Sequence, residues 1–382
     1  MARHLRCLSV ALVLFFSASV LVFAATGITL PPSGDNHPAS VSQSIGLVRV
    51  TIDYSSPRVV RGQNNRQGKI WGDLVPYGMT DLGFNSCKSC PWRAGANENT
   101  TFTVSHDVKV QGAALPAGTY GLSMIPGPDD WTVIFSKDAT AWGAFWYDPK
   151  DDALRVTTKA FKSDYHEWLD YEFTAREAGT ATVALKWENS AIPITIVVDN
   201  PNQLYVDNLR KELRGSAGFQ SENWRQAAAF CAQNKINLPE GLTWAQRAVS
   251  DPTWSGGQEN FATLSTLSQL QALNGKDAEA KATLDKAINH PTTTPIQIHL
   301  AARQLFAAGK KDEAVRLYQL NAKKNPNQWP VHVGLMRAYA STGDKKKALD
   351  EAKLALAQAP DEANKKNLQN MIKLLEEGKD IN

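Results

Sequence analysis

The feature that most constrains this chain is a 34-residue interval that recurs in its C-terminal half. Three glycines keep this interval, and three alanines keep it five residues later. The glycines are Gly275, Gly309 and Gly343, and the alanines are Ala280, Ala314 and Ala348. Because alanine, leucine and charged residues recur around them at helical spacing, each interval predicts two helices joined by a glycine turn. An ordinary helical bundle would have to produce these intervals by accident.

The residue types at this period resemble tetratricopeptide (TPR) repeats, in which small residues lie between two packed helices and proline follows the second helix. The last repeat matches that pattern at Leu335, Tyr339, Ala355 and Pro360. The preceding repeat departs from it at Asn321, where a small residue is expected. Gly241 lies one interval upstream, but the alanine match slips there by a residue. We expect three good repeats and one degenerate repeat over residues 221–382, preceded by a linker and helix at 200–220.

Residues 46–199 have a different pattern, in which short β-rich runs alternate with turn-like segments. The predicted strands are Gly46–Tyr54, Thr101–Val104, Thr119–Ile125, Trp131–Phe135, Leu154–Thr158, Glu167–Phe173, Thr180–Trp187 and Ile192–Val198. Many short strands without intervening helices predict an antiparallel β-sandwich or barrel-like domain. The predicted fold class is therefore α+β with two domains, the second an all-α TPR-like helical repeat array.

The N-terminus has the pattern of a secretory signal peptide. Arg3 and Arg6 precede an apolar stretch from Leu8 to Phe23, and small residues follow at Ala24 and Ala25. A membrane anchor is the competing interpretation, but the stretch is shorter than the roughly 20 residues that span a bilayer. We expect cleavage after residues 1–24, and no transmembrane segment in the mature chain. The protein is then exported, to the periplasm or the medium.

Proline, glycine and serine at residues 31–38 predict an irregular leader over residues 25–45. The formal net charge of the chain is +3, and loss of Arg3 and Arg6 with the signal peptide lowers it to +1. A charge so close to zero gives no electrostatic reason to expect nucleic acid as a partner.

Four separated motifs in the β-rich region resemble one known family. They are Lys69–Gly72, Trp92–Glu98, Leu115–Leu122 and Trp131–Phe135. In this order they resemble the bacterial domain-of-unknown-function family 2911 over residues 45–199. The resemblance implies an exported bacterial protein, often with TPR-like helices after the β-domain, and supplies no established activity. This chain also carries a longer loop than the shorter family form, with an insertion at residues 80–89.

Arg93, Asn97 and Glu98 form the candidate ligand-binding loop, because they concentrate polar groups in a glycine-containing segment before a strand. As a functional site, the loop would bind a ligand or use its carboxylate as an acid or base. As a structural element, it would pair Arg93 with Glu98 while Asn97 bonds the turn backbone. We favour the structural interpretation, since the spacing ties no second carboxylate or histidine to these residues.

Cys87 and Cys90 are close in sequence, and export would place them in an oxidising compartment, where such pairs tend to form disulfides. Redox catalysis usually requires a cysteine at a helix N-terminus, and a zinc site requires two further ligands. Covalent haem attachment requires a histidine where Pro91 stands. A local disulfide is favoured, with the redox and metal interpretations left open. Cys231 lies in a predicted helix, and we expect it to be a buried free thiol.

An aromatic cluster at Trp142, Phe145, Trp146 and Tyr147 could stack on a sugar or a peptide. Aromatic residues in a β-protein more often belong to the core, so we expect these to be buried.

No nucleophile elbow, phosphate-binding loop or paired metal motif appears in the sequence, so we expect neither a cofactor nor a metal. The leading hypothesis is an exported, non-enzymatic adaptor of the bacterial envelope whose repeats bind a protein partner. One alternative is an enzyme, either hydrolase-like through Arg93 and Glu98 or thiol-redox through Cys87 and Cys90. Another is a purely structural envelope component.

Overall fold

The computed structural model describes residues 36–83, 86–251 and 256–381. These residues form two compact units, which divide between Val197 and Val198. The predicted signal peptide at residues 1–24 lies outside the described residues, as do residues 25–35 of the predicted leader.

The first unit is built from antiparallel strands, twelve of them within the described residues. They are β1 (His37–Ile45), β2 (Val48–Ser56), β3 (Val60–Arg61), β4 (Asn64–Asn65), β5 (Thr101–Val104), β6 (Val108–Val110), β7 (Ala113–Leu115), β8 (Gly118–Ile125), β9 (Asp130–Ser136), β10 (Asp152–Lys159), β11 (Phe161–Glu177) and β12 (Thr180–Val197). One sheet has the order β1-β2-β5-β8-β9-β10, a second has the order β11-β12-β6-β7, and β3 pairs with β4. The antiparallel β-rich architecture predicted for this half is confirmed.

Strand β1 corrects the predicted irregular leader. His37–Ile45 pairs with β2 from His37 opposite Ser56 to Ile45 opposite Val48. Alternate side chains from Ala39 onward are partly or fully buried, which is the two-residue period of a strand. The prolines and glycine near this segment favoured an irregular structure, so the two-residue period was not recognised in the sequence. Because β1 is an edge strand, Pro38 is tolerated within it.

The second sheet also differs from the sequence-based expectation. The predicted strands Thr180–Trp187 and Ile192–Val198 form one continuous strand, β12, which passes through Glu188 in a left-handed conformation with φ 55°. The register between β12 and its hairpin partner β11 shifts at several points. These shifts bend the two strands without interrupting them. Strands β6 and β7 form a short hairpin that was not among the predicted strands, and its turn contains Gly112 with positive φ.

The core of the β-unit includes a cluster of four tryptophans from separate segments. The Trp71 ring centroid lies 5.2 Å from that of Trp131 and 5.7 Å from those of Trp92 and Trp187. All three contacts are edge-to-face, the arrangement that aromatic quadrupoles favour. The cluster therefore fixes the loops that carry Trp71 and Trp92 against β9 and β12.

The second unit contains ten α-helices within the part of the chain that is described. They are α1 (Pro201–Glu212), α2 (Ser221–Asn234), α3 (Leu238–Val249), α4 (Phe261–Leu273), α5 (Asp277–Asn289), α6 (Pro295–Ala307), α7 (Lys311–Lys324), α8 (Trp329–Ser341), α9 (Lys345–Ala357) and α10 (Glu362–Glu376). The first helices of three successive hairpins, α4, α6 and α8, begin 34 residues apart. Their turns contain Gly275, Gly309 and Gly343, all with positive φ. The predicted repeat is confirmed.

Gly241 has a different role from the one its spacing suggested. It lies inside α3, and the turn between α2 and α3 instead contains Lys235 and Asn237 with positive φ. A Cβ at position 241 would lie 2.7 Å from Cys231 Cβ. Gly241 therefore occupies a close helix contact, the place that alanine takes in the other hairpins. Cys231 is a buried free cysteine, as expected.

Asn321 is accommodated by hydrogen bonds although it is buried. Its side-chain amide donates to the carbonyl of Pro295 at 2.9 Å, and its Oδ1 accepts from Asn325 Nδ2 at 2.9 Å. A satisfied amide replaces the small residue expected at this position, so the departure from the pattern costs little. Within the described ranges, no helix is both long and apolar enough to cross a bilayer.

Candidate functional site

The loop that carries Arg93 is fixed to the β-unit on both sides. Trp92 exchanges backbone hydrogen bonds of 2.7 and 2.8 Å with Met124 at the end of β8. The next residue after Arg93, Ala94, has φ 51°, and its carbonyl accepts from Tyr171 Oη at 2.9 Å. Thr100 Oγ1 donates to the same carbonyl at 3.3 Å. These contacts hold the Arg93 backbone in place.

The Arg93 guanidinium is itself held by its neighbours. Its Nη1 donates to the carbonyl of Asn97 at 2.6 Å, and its Cζ lies 5.1 Å from the centre of the Phe145 ring. The backbone of Gly143 approaches the guanidinium so closely that a Cβ there would collide with it. Burial lowers the pKa of Arg93 from its ordinary value, because a charged group loses hydration there.

The expected ion pair between Arg93 and Glu98 does not form among the described residues. Glu98 is exposed, and its Oε2 accepts from Ser55 Oγ at 3.1 Å. The Asn97 side chain accepts from Asn36 Nδ2 at 3.0 Å. The left-handed backbone of Asn97, with φ 55°, separates the directions of the two charged side chains. The structure therefore corrects the predicted pairing, because Arg93 and Glu98 bond to different partners.

Arg93 lines a cavity of about 280 Å³, which we call the Arg93 cavity. Arg61, Arg66 and Arg93 contribute to its wall, together with the indoles of Trp92 and Trp187. Proline, leucine and valine side chains supply much of the rest, and its described lining contains no carboxylate. Glu98 instead lines a separate, shallow depression with Asp53 and Ser55. An acid or base at Glu98 would thus act away from Arg93.

The sequence did not point to Trp187, which lines this cavity, or to Gly143, which lies against the Arg93 guanidinium. Trp187 is only 1% exposed, and its Nε1 has no hydrogen-bond partner in the described part of the chain. Gly143 supports the guanidinium from a distant loop. A glycine between two aromatic residues, Trp142 and Phe145, was the only local signal for the second position.

Cys87 and Cys90 lie at disulfide-bonding distance, with Cα atoms 5.7 Å apart, and both side chains are buried. Cys90 and Thr80 exchange backbone hydrogen bonds of 2.9 and 3.0 Å. The Cys87 amide donates to the carbonyl of Phe145 at 3.0 Å. The pair therefore ties the inserted loop to the aromatic loop beside Arg93.

The aromatic loop is more exposed than we expected. Trp142 and Trp146 are 51% and 55% exposed, whereas Phe145 and Tyr147 are partly buried. The loop lies between β9 and β10, outside both sheets, so its side chains do not alternate toward the core. The prediction that this cluster belongs to the core is wrong for the two tryptophans.

The helical unit has a groove of about 700 Å³ between the α4–α5 hairpin and the α6–α7 hairpin, which we call the repeat groove. Alanine and leucine side chains form its apolar surface, including Leu273, Leu284 and Leu305. Charged residues border it, and Lys310 pairs with Asp277 across the two hairpins at 3.4 Å.

Exposed apolar side chains on α6 continue this surface. Ile296 and Leu300 are 40% and 48% exposed and are spaced by one helical turn. The next position on that face is Gln304, which lines the repeat groove. Exposed apolar side chains beside an apolar groove are typical of interaction sites. The sequence indicated the repeats but did not single out these residues, because core and surface leucines look alike in it.

The two units resemble different sets of known proteins. Residues 36–196 match the family model described as Protein of unknown function (DUF2911). Comparison with curated protein sequences finds no match.

Several solved structures are similar to the helical part. The crystal structure of MamA is 14% identical, with a TM-score of 0.30, covering 42% of this chain and 89% of that chain. YrrB, described as a TPR protein with an unusual peptide-binding site, is 14% identical, with a TM-score of 0.28 and coverage of 45% and 86%. The C-terminal part of a TPR repeat-containing protein from Cytophaga hutchinsonii is 12% identical, with a TM-score of 0.34 and coverage of 47% and 68%.

The match spans the β-unit, and the hairpins that follow it repeat with the period of TPR motifs. The β-domain of this chain matches the DUF2911 family model over residues 36–196, and TPR-like helical repeats follow it.

Proposed function

We propose that this protein is an exported, non-enzymatic adaptor of the bacterial envelope, whose helical repeats bind a protein partner. The observation that carries the proposal is the repeat groove, which combines an apolar surface with a charged border. The pattern of Arg3, Arg6 and the apolar stretch after them supports export.

The groove suits a segment of a partner protein that presents apolar anchors between charged residues. Leu273, Leu284 and Leu305 supply contact surface for such anchors, while Lys281 and Glu313 offer charges of both signs. Amphipathic helices bind apolar grooves in this way, with anchors spaced by one helical turn. Ile296 and Leu300 extend the contact surface beyond the groove itself.

The enzymatic alternatives have less support. A hydrolase using Arg93 and Glu98 would need the two groups at one place, but they line separate depressions. A thiol-redox enzyme would need an accessible sulfur atom, but Cys87 and Cys90 are both buried. Neither pair therefore offers the geometry that its reaction requires.

Site-specific photo-crosslinking in the full-length protein tests the binding proposal. A photoreactive residue at Gln304 should form one dominant adduct with a protein of the envelope fraction. The Leu300→Asp substitution should reduce that adduct strongly, because it places an unpaired charge beside the apolar surface. A photoreactive residue at Leu354, which is likewise exposed but lies on α9, is the matched control. Equal adducts from both positions, or an adduct insensitive to Leu300→Asp, would contradict the proposal.

Cell fractionation tests the export proposal separately. The mature protein should be recovered outside the cytoplasm, with an N-terminus near Ala25 by sequencing. Recovery of an uncleaved chain in the cytoplasm would contradict export but would leave the binding proposal intact.

A further inference from the structure

The Arg93 cavity has no role in the proposed adaptor function, yet it is formed by residues from distant parts of the β-unit. Trp92 and Arg93 come from the loop before β5, whereas Trp187 comes from β12. At about 280 Å³, the cavity approaches the lower end of the size range of small-molecule sites.

The strongest feature of the cavity is the way Arg93 is presented. Gly143 and Phe145 restrict the guanidinium, and Asn97 accepts its only hydrogen bond within the described residues. An arginine has five N–H donors in a planar fork, so most of its donor capacity remains unused. A restricted fork loses little side-chain entropy when it binds an oxyanion in bidentate fashion.

Trp187 contributes to the same wall. Trp187 is almost completely buried, and its Nε1 has no acceptor among the described residues. Trp187 and Trp92 are nearly parallel, at an interplanar angle of 12° with ring centroids 6.4 Å apart. The wall thus combines the Arg93 guanidinium with flat aromatic surface.

The remaining lining favours an anion over a cation. It includes Arg61 and Arg66 and contains no aspartate or glutamate within the described residues. Arg66 already donates to the carbonyls of Val59 and Arg58, which fixes its positive charge at the wall. Pro57, Val75 and Pro91 add apolar surface.

The geometry points to a binding site in the Arg93 cavity for a small organic anion, a carboxylate or phosphate ester with a flat apolar body. Arg93 binds the oxyanion through its free donors, and the indole walls contact the apolar body. A bound anion also compensates the partly desolvated charge of Arg93, which is costly to leave unpaired.

Isothermal titration calorimetry of the full-length protein tests the inference with four probes. Benzoate and phenyl phosphate carry the two oxyanions on one flat body, benzylamine carries a cation on that body, and acetate lacks the body. At least one aromatic anion should bind, more tightly than acetate, while benzylamine should give no binding. The tighter of the two aromatic anions identifies the preferred oxyanion.

Two substitutions locate the binding. Arg93→Gln should weaken the preferred probe at least about tenfold, the loss expected for one charge-assisted hydrogen bond. Gly143→Ala should also weaken it, because the added Cβ collides with the guanidinium while Arg93 remains present. Arg176→Gln, at an exposed arginine near the β11–β12 turn, is the matched control and should change nothing.

Thermal unfolding monitored by circular dichroism establishes that each variant is folded. The inference is overturned if neither aromatic anion binds, if benzylamine binds equally well, or if folded Arg93→Gln binds like the wild type. Crosslinking at Gln304 should be unaffected by Arg93→Gln, so the two proposals fail independently.

Discussion

The two units of this protein differ in how far apart in the sequence their contacting residues lie. In the β-domain, Ser56 donates to the carbonyl of Leu169, 113 residues away, and Gly68 donates to Glu188, 120 residues away. In the helical unit, Arg316 pairs with Asp285 at a separation of 31 residues, and Asn321 bonds Pro295 at a separation of 26. The β-domain must therefore assemble as a whole, whereas the repeats gain stability from nearest neighbours.

This difference also determines how each unit builds a candidate site. The β-domain brings distant segments to one cavity, where a single arginine is fixed by residues of another loop. The helical unit instead spreads its interaction surface along neighbouring hairpins. The β-domain thus holds one chemical group, a guanidinium, in a fixed position. The helical unit presents an extended contact surface.

The largest expected effect compares two core truncations. Phe102→Ala in β5 and Leu317→Ala in α7 each remove a fully buried side chain, and should cost about 3–5 and 2–5 kcal/mol respectively. Hydrogen exchange should show loss of protection across both sheets for Phe102→Ala. For Leu317→Ala, the loss should concentrate in α6–α8. A uniform loss across all the repeats would contradict nearest-neighbour stabilisation.

The second prediction concerns pH and the helical unit. Burial, followed by the charges of Arg337 and Arg303, lowers the pKa of His299 to about 4 from 6.5. Because the folded state disfavours protonation, this histidine contributes full stability above about pH 6.5, which is lost as pH falls toward 4. The loss should amount to roughly 3 kcal/mol. His299→Phe should flatten urea-unfolding stability over this range, and an unchanged slope would contradict the assignment.

A smaller effect is expected from the cysteine pair in the β-domain. A disulfide across such a short loop stabilises by roughly 2 kcal/mol in the chain-entropy model. The double substitution Cys87→Ser with Cys90→Ser should lower the stability of the β-domain by about this amount and leave the helical unit unchanged. Denaturant unfolding followed by hydrogen exchange separates the two units. The substitution Cys231→Ser provides a control in the helical unit.

The smallest effect is expected at the surface between hairpins. Arg316 and Asp285 pair at 2.9 Å, but both side chains are about 40% exposed. Arg316→Gln should therefore change stability by less than about 1 kcal/mol, and less still at high salt. A larger loss in urea unfolding would mean that ion pairs, in addition to apolar packing, hold the repeats together.

The sequence predicted the helical unit better than the β-domain for a physical reason. Turn glycines such as Gly309 and packed alanines such as Ala314 have their roles within one hairpin. Their spacing in the sequence therefore equals the length of the structural repeat. Gly241 was assigned to a turn because spacing alone does not distinguish a positive φ from a close helix contact. Strand pairing joins residues that are distant in the sequence, so no fixed spacing reveals it. Strand β1 was not predicted because Pro38 lies within it.

The candidate site in the β-domain was predicted only in part. The sequence identified the loop of Arg93, but a short spacing between opposite charges favoured a pair with Glu98. The left-handed backbone at Asn97 directs the two side chains apart. Trp187 could not be assigned to the site, because the contact depends on how β12 crosses the loop.

The backbone conformation at Ala94 restricts which residues related proteins can carry at this position. Its left-handed conformation costs about 1 to 2 kcal/mol for any residue with a Cβ, and its side chain is fully buried. Glycine would relieve the strain, while any side chain larger than a methyl group would find no space. Among relatives that conserve this turn, position 94 should therefore alternate only between alanine and glycine. Drift to larger residues there would mark the lineages in which the Arg93 cavity has been lost.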